Sequence, residues 1–203
     1  MPSGNYPELE AAIAAARAHV DDMNERGTRA GSGITNEIRI AGYEALANAQ
    51  RALAAARGEQ YAIELDLGFK PEAAVSGAAL IQSEYSAVLM FNTTKGRAVA
   101  TLAGCSVTKF GYPNDEALAG HPLYDHGLSA YGVFEVLNSE WIELTVRQNQ
   151  VSFPETRKGT GRHFIFTFHD STFECIASGL STSLETGSDE KTTADVVRRV
   201  FAD

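Results

Sequence analysis

Leu9, Ile13, Ala16, Val20 and Met23 recur at alternating spacings of four and three residues, which puts them on one stripe of an α-helix. Pro7 suits the first turn of that helix, and Glu8 and Glu10 suit its positive dipole end. The pattern stops at Gly27, and the stretch from Gly27 to Gly33 reads as a flexible turn. A second helix is predicted to start behind Thr35 as N-cap and to end at Gly58, after Arg57. Ile34, Ile38, Ala41, Ala45, Ala49, Leu53 and Ala56 are expected to line its inner side. The two helices form an αα-hairpin. Its seam is rich in alanine, and small side chains bury little area each, so the hairpin must pack on the rest of the chain or on a second copy of itself.

From Tyr61 the period changes to two. Tyr61, Ile63, Leu65 and Leu67 alternate with Ala62, Glu64 and Asp66, the pattern of a half-buried strand. A longer alternation runs from Ala79 through Ile81, Tyr85, Ala87 and Leu89 to Phe91, turns at Asn92–Gly96, and returns from Arg97 to Phe110 with a bend at Gly104. Residues Gly111–Gly127 show no period. They read as a long irregular loop with one short helical turn after Asn114, and loops of that length inside compact domains are often functional. Tyr131–Leu137 is a further strand. Glu140–Gln150 fits a helix, with Trp141, Leu144 and Gln148 on one face, and also a strand, because Ile142, Leu144 and Val146 alternate; the capping residues Asn138 and Ser139 favour the helix.

The clearest hairpin is His163–Ala177. With Asp170-Ser171 as the turn, Phe168 faces Phe173, Phe166 faces Cys175 and Phe164 faces Ala177, all on one side. The other side carries Ile165, Thr167 and His169 against Ile176, Glu174 and Thr172; Asp-Ser is a poor tight turn, so a four-residue loop is the other option. Beyond Gly179 the chain is polar, and a short amphipathic helix closes it, with Ala194, Val197, Val200 and Phe201 apolar. The predicted fold is α+β: an N-terminal helical hairpin (1–58) packed on a mostly antiparallel β domain (59–203), a sandwich or partial barrel, the two parts forming either two domains or one continuous domain, with a short C-terminal helix.

Charge narrows the partners. The formal net charge of −9 and the absence of any Lys/Arg stripe argue against nucleic acid and against an anionic membrane surface. No run approaches the ~20 apolar residues of a membrane span, and the first seven residues lack the basic and apolar segments of a secretory signal, so a cytoplasmic protein is expected. Cys105 and Cys175 lie in apolar strands and read as free, buried thiols.

Few residues suggest chemistry. His169, Asp170 and Glu174 cluster at the tip of the phenylalanine hairpin, where the two-residue turn sets Glu174 diagonal to His169, ~7–8 Å away along the backbone. A glutamate there can orient the imidazole and raise its basicity. The same positions also suit a solvated outer face, except that Ile165 and Ile176 on that face imply a partial cover, either by the helical hairpin or by the Gly111–Gly127 loop. If the Gly111–Gly127 loop is the cover, Asn114, Asp115 and His121 meet His169 in one cleft, with Tyr124, His126 and Trp141 as further ligand contacts. Asn114 equally suits a helix cap. His121, His126 and Asp125 could hold a metal, but the spacing matches no zinc signature, so no metal is assigned. Neither a GxSxG elbow nor a phosphate-binding glycine loop occurs, and no cofactor is indicated. The expected function is a small-molecule-binding or enzymatic β domain with a His/carboxylate cleft between 111–127 and 163–177. The alternative is a non-catalytic interaction module, or a homo-oligomer assembling through the N-terminal helices.

Overall fold

The computed structural model describes residues 4, 6–27, 33–186 and 189–201. Most of the turn expected between the first two helices lies outside these residues. Helix α1 (Pro7–Gly27) buries Val20 and Met23, and Leu9, Ile13 and Ala16 are half-buried above them, so the four-three stripe is its inner face. Helix α2 (Asn36–Arg57) starts where its caps dictate. Thr35 Oγ1 accepts from the Ile38 amide at 3.3 Å, a contact whose loss to alanine costs about 1 kcal/mol. Gly58, at φ 70°, turns the chain out of the helix and donates to the Ala54 and Ala55 carbonyls. The buried face of α2 is rotated from the expected one. Gly42, Gln50, Leu53 and Ala54 are inside, whereas Ile38, Ala41, Ala45 and Ala56 are exposed. Alanine loses little by exposure and so does not define a face, and Gln50 is drawn inward because its amide donates to Asp125 at 2.9 Å.

Among the described residues, nine strands form two antiparallel sheets. The first runs β1 (Tyr61–Glu64), β6 (Val133–Leu137), β7 (Arg162–Thr167), β8 (Thr172–Ala177) and β5 (Val107–Gly111). The second runs β2 (Ala79–Gln82), β3 (Ser86–Thr93), β4 (Gly96–Ala103) and β9 (Gly179–Glu185). The sheets stack face to face around Ala87, Leu89 and Phe91 from one side and Phe164, Phe166, Phe173 and Cys175 from the other, an open sandwich rather than a barrel. Phe91 meets the Phe166 ring edge-on at 5.8 Å and the Phe168 ring at 5.3 Å. Truncating it would cost about 3–5 kcal/mol. Gly104, at φ 57°, passes the chain from the second sheet to the first. Helix α4 (Asp189–Val200) covers the outer face of the second sheet with Val196 and Val200 against Val88, Met90 and Val99; Ala194 is exposed. Helix α3 (Glu140–Gln150) settles the open choice at 140–150, with Ser139 as its N-cap.

Three strand expectations change. The alternation from Ala79 to Phe91 is a hairpin, β2–β3, reversed at Ser83–Ser86 by the serine hydroxyls; Tyr85 is exposed at the turn. The polar stretch after Gly179 is the edge strand β9, paired along β4 and setting Leu180 against the central core. In β1, Ala62 faces inward and Ile63 outward, because the strand ends at Glu64 and Leu65 and Leu67 cross to the central core on the opposite side of the sheet.

What positions the candidate residues is the outer face of the first sheet. The irregular segment 111–131 lies over it, pressing Leu118, Leu123 and Leu128 onto Ala62, Phe134, Val136 and Ile165. Two 3₁₀ turns, Leu118–Gly120 and Tyr124–His126, give the segment its only regular structure.

Candidate functional site

The β7–β8 hairpin closes with a four-residue loop, Phe168–Ser171, in which the Phe168 amide donates to the Ser171 carbonyl at 2.8 Å. Its register pairs Thr167 with Thr172 and Ile165 with Glu174, two residues away from the register of the tighter turn. Every phenylalanine stays on the core side under that shift. On the outer face it moves Glu174 away from His169 and sets it diagonal to His163 instead. The expectation that Glu174 orients His169 is therefore corrected, and the outer face carries two separate His/carboxylate groups.

The first group is built on Asp115. Its backbone amide donates to the His169 carbonyl at 3.1 Å, and the Thr172 hydroxyl donates to the Pro113 carbonyl at 2.9 Å, so the central segment is stapled to the hairpin tip. His169 Nδ1–H donates to Asp115 Oδ2 at 2.9 Å. The Tyr131 hydroxyl donates to the same oxygen, and the Glu116 amide to Oδ1 at 2.8 Å. With Nδ1 committed to the carboxylate, His169 Nε2 is left as the basic nitrogen, and the side chain is 41% exposed. The hydrogen bonds from Tyr131 and then His169 hold the Asp115 carboxyl below its usual range. The hydrogen bond to Asp115 and its charge raise the His169 pKa, and Asp170, exposed in the same loop, adds a smaller push the same way. The Tyr131 phenol, donating to a carboxylate, is pushed up to about 12 and keeps its proton at neutral pH. Tyr131 sits at φ 59°, a conformation that costs a bulky residue energy. Asp115 and Tyr131 both line a cavity of about 530 Å³ beneath α2, whose walls also include Ile40, Tyr43, Tyr124 and Phe134.

The second group is built on Glu174. His163 Nε2–H donates to Oε2 at 3.1 Å, and His121 Nε2 lies 3.6 Å from Oε1. The far nitrogens are also occupied. The Ser139 hydroxyl donates to His163 Nδ1 at 2.9 Å while accepting from the Ile142 amide, and the Leu123 amide donates to His121 Nδ1 at 3.2 Å. Burial would raise the Glu174 pKa, but the His121 and His163 imidazoles and the nearby Lys109 outweigh it and keep the carboxyl ionised far into acid. His163 has both nitrogens bonded, while His121 Nε2 faces Glu174 at 3.6 Å, beyond hydrogen-bond range. The network ties the central segment, the hairpin and the start of α3 together, and it borders a second cavity of about 450 Å³ shared with Trp141 and Lys109.

The remaining predicted residues scatter. Asn114 Oδ1 accepts from the Ala117 amide at 3.1 Å, in the turn that leads into the first 3₁₀ turn, which itself has no side-chain cap. His126 Nε2 lies 3.3 Å from Glu59, away from His121, so the two loop histidines do not converge on one point. Among the described residues no group of three or more His, Cys, Asp or Glu side chains is arranged to hold a metal, and no helix is long and apolar enough to cross a membrane. Cys105 and Cys175 are free thiols in the core. His121 and His169 lie on the same covered face but in different networks. Sequence reasoning missed His163, the partner of Glu174. The signal was its place on the same strand face as Ile165, which becomes informative only with the four-residue turn. No family model matches this chain, and comparison with curated proteins and with solved structures finds no match to either.

Proposed function

We propose that the protein is a cytoplasmic acid–base enzyme for a small molecule, with His169 as the general base, Asp115 as its orienting carboxylate and Tyr131 as the residue that fixes Asp115. The observation that carries this reading is the bond between Asp115 and the half-exposed His169, beside a cavity that Asp115 and Tyr131 line. Asp115 accepts the hydrogen bond from Nδ1–H, which leaves the Nε2 lone pair outward. An imidazole so held accepts a proton from a bound hydroxyl or water and returns it later, while the ionised carboxylate stabilises the imidazolium in between. The backbone strain at Tyr131 suits a position kept for its hydroxyl and not for packing. The mixed apolar and aromatic walls fit a small organic ligand.

The test is a thermal-shift screen of small organic ligands on the wild-type protein, followed by the same hits on His169→Ala. A ligand of this cavity raises the melting temperature by mass action. The expected result is a folded His169→Ala protein that no longer turns over the ligand; full turnover by that variant contradicts the reading.

The alternative, an oligomer or interaction module using the N-terminal helices, takes its support from Ile38, Ile40 and Tyr43, exposed on α2. The α1 stripe does not serve it, because Val20 and Met23 are buried. Sedimentation of Ile40→Glu beside wild type separates the two: a mass that falls to that of one chain favours assembly.

A further inference from the structure

The cavity on the far side of Glu174 contains a feature that the His169 chemistry does not use. Lys109, on the edge strand β5, places its ammonium over the Trp141 ring, 3.9 Å from the ring centre. The same nitrogen is 3.9 Å from Glu174 Oε1. That distance is too long for a hydrogen bond. The other neighbour of Oε1, His121 Nε2, is at 3.6 Å and is also too far. Glu174, whose side chain is 13% exposed, thus lines the cavity as a carboxylate with the hydrogen-bonding capacity of Oε1 unfilled. An aromatic face and a buried carboxylate are the two parts that recognise an organic ammonium. Trp141 is itself held in place, edge-on to His163 at 5.2 Å.

We propose that this cavity binds a primary ammonium compound, which donates to Glu174 Oε1 and lays its charge against Trp141 in the place that Lys109 occupies. Lys109 is the internal competitor. Its side chain is 58% exposed, so it can swing into water without uncovering core. Arg147 and Glu140 also line the cavity and oppose each other in sign. Once Lys109 leaves, the balance at the Trp141 face is set by Glu174.

Trp141 is the sole tryptophan of the chain, so its emission reports this site alone. The experiment titrates the full chain with n-butylammonium chloride, using sodium chloride at equal ionic strength and sodium butyrate as controls. The expected result is a saturable change with butylammonium only. In Lys109→Ala the half-saturating concentration should fall about fivefold, because the competing cation is gone. Glu174→Gln, if folded, should abolish the response; if it does not fold, Lys109→Ala still decides. Four results overturn the proposal: no saturation in wild type or in Lys109→Ala, an equal response to sodium chloride, saturation by butyrate instead, or weaker binding in Lys109→Ala.

Discussion

Two histidine–carboxylate groups sit on one sheet face, under one covering segment, and they differ in exposure: the side chain of His169 is 41% exposed, those of His121 and His163 8% and 3%. Around Glu174 both nitrogens of His163 are bonded, to Glu174 and to Ser139, and His121 takes the Leu123 amide on Nδ1 and holds Nε2 3.6 Å from Glu174. Around Asp115 the imidazole of His169 spends Nδ1 and keeps Nε2. The residue types are the same. What separates the two groups is how much of each ring the fold has closed off from solvent. The comparison also shows where each group stands in the chain. The Glu174 network is anchored in strands and at a helix cap, while His169 is in a loop, where a functional side chain is held by a rigid frame but not buried in it.

If this contrast is right, the two groups respond differently to damage. The largest effect is expected from Glu174→Leu, which leaves the inward nitrogens of His121 and His163 without a partner. A loss of about 3 kcal/mol is predicted, measured by urea unfolding; a loss under about 1 kcal/mol would show that the network braces nothing. The next effect is a pH dependence. The folded pKa of Glu174 lies below its ordinary value of 4.5, so its contribution to stability is present above that value and disappears as pH falls toward the depressed one. Wild type should therefore lose stability with acid more steeply than Glu174→Gln does, and parallel curves would count against the pairing. The smallest effect is expected from His169→Ala, whose side chain is half-exposed and whose removal should leave the urea midpoint almost unchanged. A loss equal to that of Glu174→Leu would erase the distinction between the two groups.

Much of this arrangement was legible from residues alone. The α1 stripe, the Thr35 and Gly58 caps of α2 and the phenylalanine face of the hairpin follow from periodicity and capping, which are local. That the outer face of the first sheet is partly covered followed from Ile165 and Ile176, apolar residues on a face otherwise polar; whether the helical hairpin or the 111–127 loop covers it did not follow. Other parts depend on information that is not local. Ser83–Ser86 makes a turn without glycine or proline, so β2 and β3 read as one alternation. Strand β9 is mostly polar, with Leu180 set against the core, and it forms because β4 offers it an edge. The exchange of partners between His169 and His163 comes from a loop two residues longer than the shortest one. Both registers keep the phenylalanines inside, so hydrophobic patterning could not choose between them, and the choice decided which carboxylate each histidine met.

That exchange is open to one direct measurement: the NMR titration of the His169 imidazole in wild type, Asp115→Asn and Glu174→Gln, with the resonance assigned by its loss in His169→Ala. Pairing with Asp115 raises the His169 pKa above 6.5, so the pairing stabilises the fold below 6.5 and is lost as pH rises through the raised value. The account predicts that Asp115→Asn lowers the pKa toward the ordinary value and that Glu174→Gln leaves it unchanged. A drop in Glu174→Gln with none in Asp115→Asn would contradict it.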